Sequence, residues 1–433
     1  MRLRLGHRLL AMTLLLAPAV PAPAAAHPTY SVDYLVRVSR RDPGRAHVRW
    51  LLAGIDEIRS LRLVFRDDRF ADLSGTGTLA RDGRTVVWTP GGPYAHLGYT
   101  VAIDHRRPPG ARFDSHAARD WIATRALYLF PEINVSFREG TREAASRARL
   151  VFRLPRGWHS AAALAPLEEN VFAVDEPGKR FDRPRGWFLL GRIARHRRRI
   201  GGMEVTVASA PGSGLDARRL LRLYGRTVPL LAGLLGTPPA RLLVASAPDP
   251  MWHGGLSGEG SFFVNGRIPL RSRDKTSSYL HELFHVWQPF RPGPDGRWVS
   301  EGLAEYYSLA LQRRAGRLSQ ASFARGVALF ARYGRWGLDL SRTREPAALN
   351  NSAPFVMCWI DQEIRSASGG QRSLDDVVRL LTHEERTLTT GGFLRAVNRT
   401  AGRNLSAPFA RHVFRGERPA VRLLARAAAD QRS

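Results

Sequence analysis

The sequence predicts an α+β multidomain chain, with a β-sandwich-like domain first and a mainly helical domain second. Three observations carry this. At ~150 residues per domain, 433 residues suggest two or three units. Apolar and polar residues alternate from residue 29 to about 208. Helical spacing replaces the alternation from about Pro211 onward.

Residues 1–26 stand apart. Arg2, Arg4 and Arg8 precede or open an apolar run over 9–16, and a Pro/Ala stretch ends in Ala24-Ala25-Ala26. A basic start, a short apolar core and a small-residue exit describe a secretory signal peptide cut before His27. The run is too short to span a bilayer, and no later stretch reaches that length. The mature chain is expected to be exported, periplasmic or secreted.

The first domain is expected over 27–210. Tyr30, Val32, Tyr34, Val36 and Val38 alternate with Ser31, Asp33 and Arg37. Short runs at 85–88, 99–103 and 150–154 lie between turns such as Asp42-Pro43-Gly44 and Asp82-Gly83. Met203, Val205 and Val207 alternate at its end. The second domain is expected over 211–415. Leu220, Leu221, Tyr224, Val228 and Leu231 open it at helical spacing. A strand at 241–247 and a Gly-rich segment, His253-Gly254-Gly255-Leu256, follow. From Thr276 the chain reads as helices, one of them started by the capping-box variant Ser373-Leu374-Asp375-Asp376. Residues 416–433 form a basic tail.

Composition narrows the function. The 44% hydrophobic and 24% charged residues are ordinary for globular protein and exclude disorder. Cys358 is the one cysteine, so no internal disulfide holds the fold. The net charge of +28 invites a nucleic-acid reading. However, Lys179 and Lys275 are the only lysines, and the arginines are scattered. The dense run Arg195-His196-Arg197-Arg198-Arg199 reads as a solvated hairpin between strands. No nucleic-acid motif or interleaved aromatics accompany it. No nucleic-acid partner is expected, and the charge implies at most a weak attraction to an anionic envelope surface.

The chemistry lies in His281-Glu282-Leu283-Phe284-His285. Four residues make slightly more than one helical turn, so both imidazoles leave one face and can grip one Zn²⁺ at ~2.0–2.1 Å. Glu282 can reach a water there without being a ligand. Leu280, Leu283, Phe284 and Trp287 form the apolar stripe of this helix. Asp274, Thr276 or Ser277 caps its start, and Pro289 stops it at or just after Trp287. A second helix begins near Trp298, after a Pro/Gly turn, so the two pack antiparallel. Glu301 at its start could supply the third ligand, leaving a fourth position open. Glu305, one turn on, is a rival ligand or an acceptor for a ligand histidine. Cys358 reads as a buried small hydrophobe. Asp361, Asp375 and Asp376 read as helix-surface or cap residues.

HELFHVW, WVSEGLAEYY and IRSASGGQRSLDDVVRLL together resemble the glycyl aminopeptidase family of zinc metallopeptidases. These are gluzincins with a thermolysin-like catalytic domain, here in a layout without a PDZ domain. The resemblance covers roughly residues 250–381. It implies Zn²⁺ as cofactor, His281, His285 and Glu301 as ligands, and Glu282 as general base. It also implies that Gly254, Gly255 and Leu256 line the substrate. The expected function is an exported peptidase acting on peptides or unfolded protein. Two segments depart from the family pattern. Ser257 and Gly258 stand where Glu and His usually follow the Gly-Gly-Leu, and that Glu helps hold a free amino terminus. Leu349-Asn350-Asn351-Ser352-Ala353 stands where an oxyanion-stabilising Tyr is usual; an Asn amide, Tyr306 or His253 could donate instead. These departures define the alternative, a degenerate zinc protein that binds peptide or scaffolds the envelope without turnover.

Overall fold

The computed structural model describes residues 29–422 except 109, 111, 140–144, 177–178 and 385. Residues 1–26, read above as a signal peptide, and the end of the basic tail lie outside the described residues. Among the described residues, no helix is long and apolar enough to cross a membrane.

The first half is rich in β-structure, for the reason that its alternation suggests. In the strand Thr29–Val38, Tyr30, Val32, Tyr34, Val36 and Val38 are all buried. It pairs antiparallel with Arg45–Ala53 and parallel with Ala145–Arg153, at the centre of a seven-stranded sheet. A four-stranded sheet contributes Leu61, Leu63, Val86 and Trp88 to the same core. A third sheet has five strands, among them Trp121–Arg125 and Trp187–Gly191. The single turn α1, Ala126–Leu129, follows the first of these two.

The third sheet makes this half more than a two-layer sandwich. Strand Trp187–Gly191 is buried at every position. Phe188 and Leu190 face the first core, while Trp187 and Leu189 face a separate cluster with Leu243, Ala245 and Phe263. Side chains alternate across a strand, so one strand serves two cores and joins the halves of the molecule.

The second half carries a mixed sheet as well as helices. Its strand order is Ala194–Ile200, Met203–Ser209, Arg241–Ser246, Ser261–Val264 and Gly255–Gly258. The hairpin at 194–209 precedes the boundary expected at 210, yet it supplies two strands of this sheet. Alternation marks a strand but does not name its partner. The arginine run lies in a solvated hairpin, as expected: residues 195–199 belong to its edge strand, antiparallel to Met203–Ser209. Charges on an edge strand oppose edge-to-edge association. Helix α2, Ala217–Leu235, crosses between the parallel strands Met203–Ser209 and Arg241–Ser246. Asp216 caps it by accepting from the Arg219 N–H at 2.8 Å.

Among the described residues seven α-helices follow: α3, Ser278–Trp287; α4, Arg297–Arg314; α5, Gln320–Tyr333; α6, Ala353–Ala367; α7, Leu374–Glu384; α8, Thr390–Ala401; and α9, Ser406–Val413. Helix α4 is buried nearly all round, with Trp298, Val299, Leu303, Ala304, Tyr306, Tyr307 and Leu311 in the core. An all-round apolar helix is a central one. Gly302 lets α6 approach, because a Cβ there would lie 3.1 Å from the Ala353 Cβ and the Met357 Cε. The Ser373 N–H donates to Asp376 Oδ2 at 2.8 Å, the reciprocal bond of a capping box. Asp375 is half-buried and paired rather than simply solvated: it accepts from the Tyr307 hydroxyl and from both Arg314 amino groups, each at 2.8 Å. Cys358 is buried in α6.

Candidate metal centre

Helix α3 buries Tyr279, Leu280, Leu283, Phe284 and Trp287. That stripe fixes its rotation and turns the two histidines toward α4. The Phe284 ring stacks on Tyr307 of α4, with centroids 5.5 Å apart and planes 8° apart. The helix ends at Trp287, as Pro289 requires. At its start Ser277 occupies the cap position without a side-chain bond, and its buried Oγ has no partner. Asp274 instead accepts from the Thr276 N–H and hydroxyl at 3.1 and 2.8 Å.

His281, His285 and Glu301 converge, with one ligand atom from each within 4.8 Å of the others. The two Nε2 atoms are 3.0 Å apart, and Glu301 Oε2 is 3.4 Å from both. Zinc bonds of ~2.0–2.1 Å at tetrahedral angles separate neighbouring ligand atoms by ~3.3–3.4 Å, so the triangle fits that ion. The other ring nitrogens are engaged. His281 Nδ1 is 2.7 Å from Glu305 Oε2, and His285 Nδ1 is 3.4 Å from Ser300 Oγ. Gln288 Nε2 donates to that hydroxyl at 3.0 Å. A proton on each Nδ1 leaves each Nε2 lone pair directed at the common point. Glu305 thus lies behind His281 rather than in the triangle. Ser300 and Gln288 are residues that sequence reasoning missed; the signal for Ser300 was its position beside Glu301.

Electrostatics follow from burial and neighbours. Burial pushes the Glu282 carboxyl above the usual glutamate range, against the pull of His281 and His285. Burial disfavours a charged His281, but Glu301 and Glu305 outweigh it and hold that imidazole well above its usual value. Despite its own burial, Glu301 is held far below the usual range by the two histidines. The carboxylates and imidazoles of this group thus favour one another's charged forms.

The Gly255–Gly258 strand runs beside α3. A Cβ on Gly255 would lie 2.2 Å from Glu282 Oε1, so glycine is what lets that carboxylate lie against the strand. Gly254 meets Trp252 in the same way, at 2.4 Å from Nε1. The Leu256 carbonyl accepts from Trp187 Nε1 at 2.9 Å. The oxyanion candidates fare differently. Tyr306 is buried near Asp361 and Cys358. The hydroxyls of Tyr224, Tyr279 and Tyr307 donate to the Tyr279 carbonyl, the Ile268 carbonyl and Asp375. Asn350 and Asn351 lie in a π-helical turn, Ala348–Ser352, ahead of α6. His253 is exposed.

No protein-family model and no curated protein sequence matches the chain. Solved structures do. The chain is similar to an aminopeptidase N family protein from Idiomarina loihiensis at TM-score 0.68 and 14% identity, covering 90% of this chain and 77% of that one. It is also similar to an M1 zinc metallopeptidase from Deinococcus radiodurans, solved as a mutant bound to a Tyr-Ser-Ala substrate. There the TM-score is 0.59 and the identity 15%, over 91% and 95% of the two chains. At such identity the likeness is one of fold, a β-rich N-terminal region joined to a helical one.

Proposed function

We propose that this chain is an exported zinc-dependent peptidase that hydrolyses peptide bonds of peptides or unfolded protein. The observation that carries the reading is the triangle of His281, His285 and Glu301 with the buried Glu282 beside it. The three side chains would hold the ion, which supplies Lewis acidity at neutral pH. Glu282, raised in pKa by burial, takes a proton from the attacking water and returns it to the leaving amine. The open edge of the Gly255–Gly258 strand would take the substrate as an added strand, bringing it past Glu282. The fold shared with M1 zinc metallopeptidases supports the reading. Export rests on the character of residues 1–26. The arginine-rich surface would add a weak, salt-sensitive attraction to an anionic envelope.

The test is metal analysis together with mass spectrometry of a mixed peptide pool. One equivalent of zinc is expected, with hydrolysis that vanishes in Glu282→Gln while the fold persists. Protein that stays metal-free after zinc supplementation would sink the reading. Zinc-loaded protein that retains peptides without cutting them would replace turnover with peptide capture.

A further inference from the structure

A second chemistry lies at the far end of the Gly255–Gly258 strand. A cavity of about 280 Å³ is walled by Arg66, Arg125, Arg183 and Arg185, with Glu132 and Glu259. Three of these arginines have counter-charges. Arg183 makes paired bonds to Glu176 at 3.1 and 3.0 Å. Arg185 lies 3.2 Å from Glu259, and Arg66 lies 3.9 Å from Glu132. Arg125 is different: among the described residues no carboxylate lies within ion-pair distance of it. Its guanidinium gives one hydrogen bond to the Ser257 carbonyl at 3.3 Å and lies 5.7 Å from the centre of the Trp187 ring. Burial lowers its pKa; Tyr128 and the more distant Asp114 pull it back up in part, while Arg66 and Arg107 repel it. A part-buried cation with like charges around it and no carboxylate at ion-pair distance can gain from a bound carboxylate through charge-assisted hydrogen bonds.

The location gives this cation a use. Gly255 touches Glu282, and Gly258 lies three residues further along, about 10 Å at the rise of a strand. The strand is at the edge of its sheet, with its outer side unpaired among the described residues. A peptide pairing there antiparallel, the stronger arrangement, runs its amino-terminal side toward Gly258. Its second or third residue before the reacting carbonyl then reaches the arginine cavity. The strand itself offers that residue no carboxylate, being Gly-Leu-Ser-Gly.

Building on the peptidase reading, we propose that the Arg125 cavity is a carboxylate subsite. It takes an Asp or Glu side chain two or three residues to the amino-terminal side of the scissile bond. The proposal is tested with the zinc-loaded Glu282→Gln protein, which holds substrate without cutting it. The probe is an octapeptide library in which one Glu is moved through a neutral sequence, alongside the same library with Gln. Retained peptides are counted by mass spectrometry. The Glu peptides of one register are enriched about tenfold over their Gln counterparts, as a charge-assisted bond implies. Arg125→Met removes that difference, and Arg125→Lys restores part of it. Equal retention of Glu and Gln peptides, or no retention of either, overturns the subsite without recourse to any Arg125 variant. A preference that survives Arg125→Met overturns it too. Enrichment without any cleavage by the unsubstituted protein sinks the peptidase reading and leaves the subsite standing.

Discussion

Glu305 Oε2 lies 2.7 Å from His281 Nδ1, on the side of the imidazole away from Glu301. The two glutamates sit one turn apart on α4 and flank one histidine. Their roles differ because only Glu301 also reaches His285. Glu305→Ala is therefore expected to lower zinc affinity by ~10–100-fold, the usual cost of removing such a partner. Glu301→Ala removes a proposed ligand and is expected to cost far more. Chelator competition measures both, and equal losses would contradict the assignment.

Gly255 offers a second test. A methyl group there would lie 2.2 Å from Glu282 Oε1, so Gly255→Ala must push the carboxylate aside. Peptide hydrolysis is expected to fall about 100-fold, because displacing a reacting group by ~1 Å has that effect. Zinc content should not change. Full activity in Gly255→Ala would show that Glu282 does not work from this position.

A third prediction concerns stability and pH. Burial alone would raise the Asp375 carboxyl, but the Arg314 ion pair and the Tyr307 hydroxyl outweigh it and hold the pKa below 3.8. A depressed carboxylate pKa stabilises the fold fully above the unfolded value, and that contribution is lost as pH falls through the folded value. Asp375→Asn should then cost about 2 kcal/mol at neutral pH. The gap to the unsubstituted protein should close below about pH 4. Thermal unfolding across pH 2.5–7 checks it; a gap that persists at the acid end would refute the ionic account.

Cys358 supplies the fourth. It is buried in α6, and burial pushes its thiol up from the ordinary value. Alkylation should be slow in the folded protein and fast in urea, since the thiolate is the reactive form. Reductant should leave the melting temperature unchanged. Rapid labelling of folded protein would show that α6 opens.

Much of the candidate metal centre was legible along the chain. The His-x-x-x-His spacing, the apolar stripe of α3, the stop at Pro289 and the following helix with Glu301 are local patterns of period and punctuation. They determined which side chains share a helix face. Tertiary structure decided which of them meet. It set Glu301 in the triangle and Glu305 behind His281, although both lie on the same face of α4. It also gave the hydroxyls of Tyr224, Tyr279 and Tyr307 partners outside that triangle. Alternation identified the strands of the first half, and also the hairpin at 194–209. Sheet membership depends on hydrogen bonds between distant strands, so that hairpin joined the mixed sheet of the second half. Arg125 and Ser257, 132 positions apart, meet for the same reason. Periodicity acts over a few residues, whereas the pairing of sheets and the matching of charges act through space.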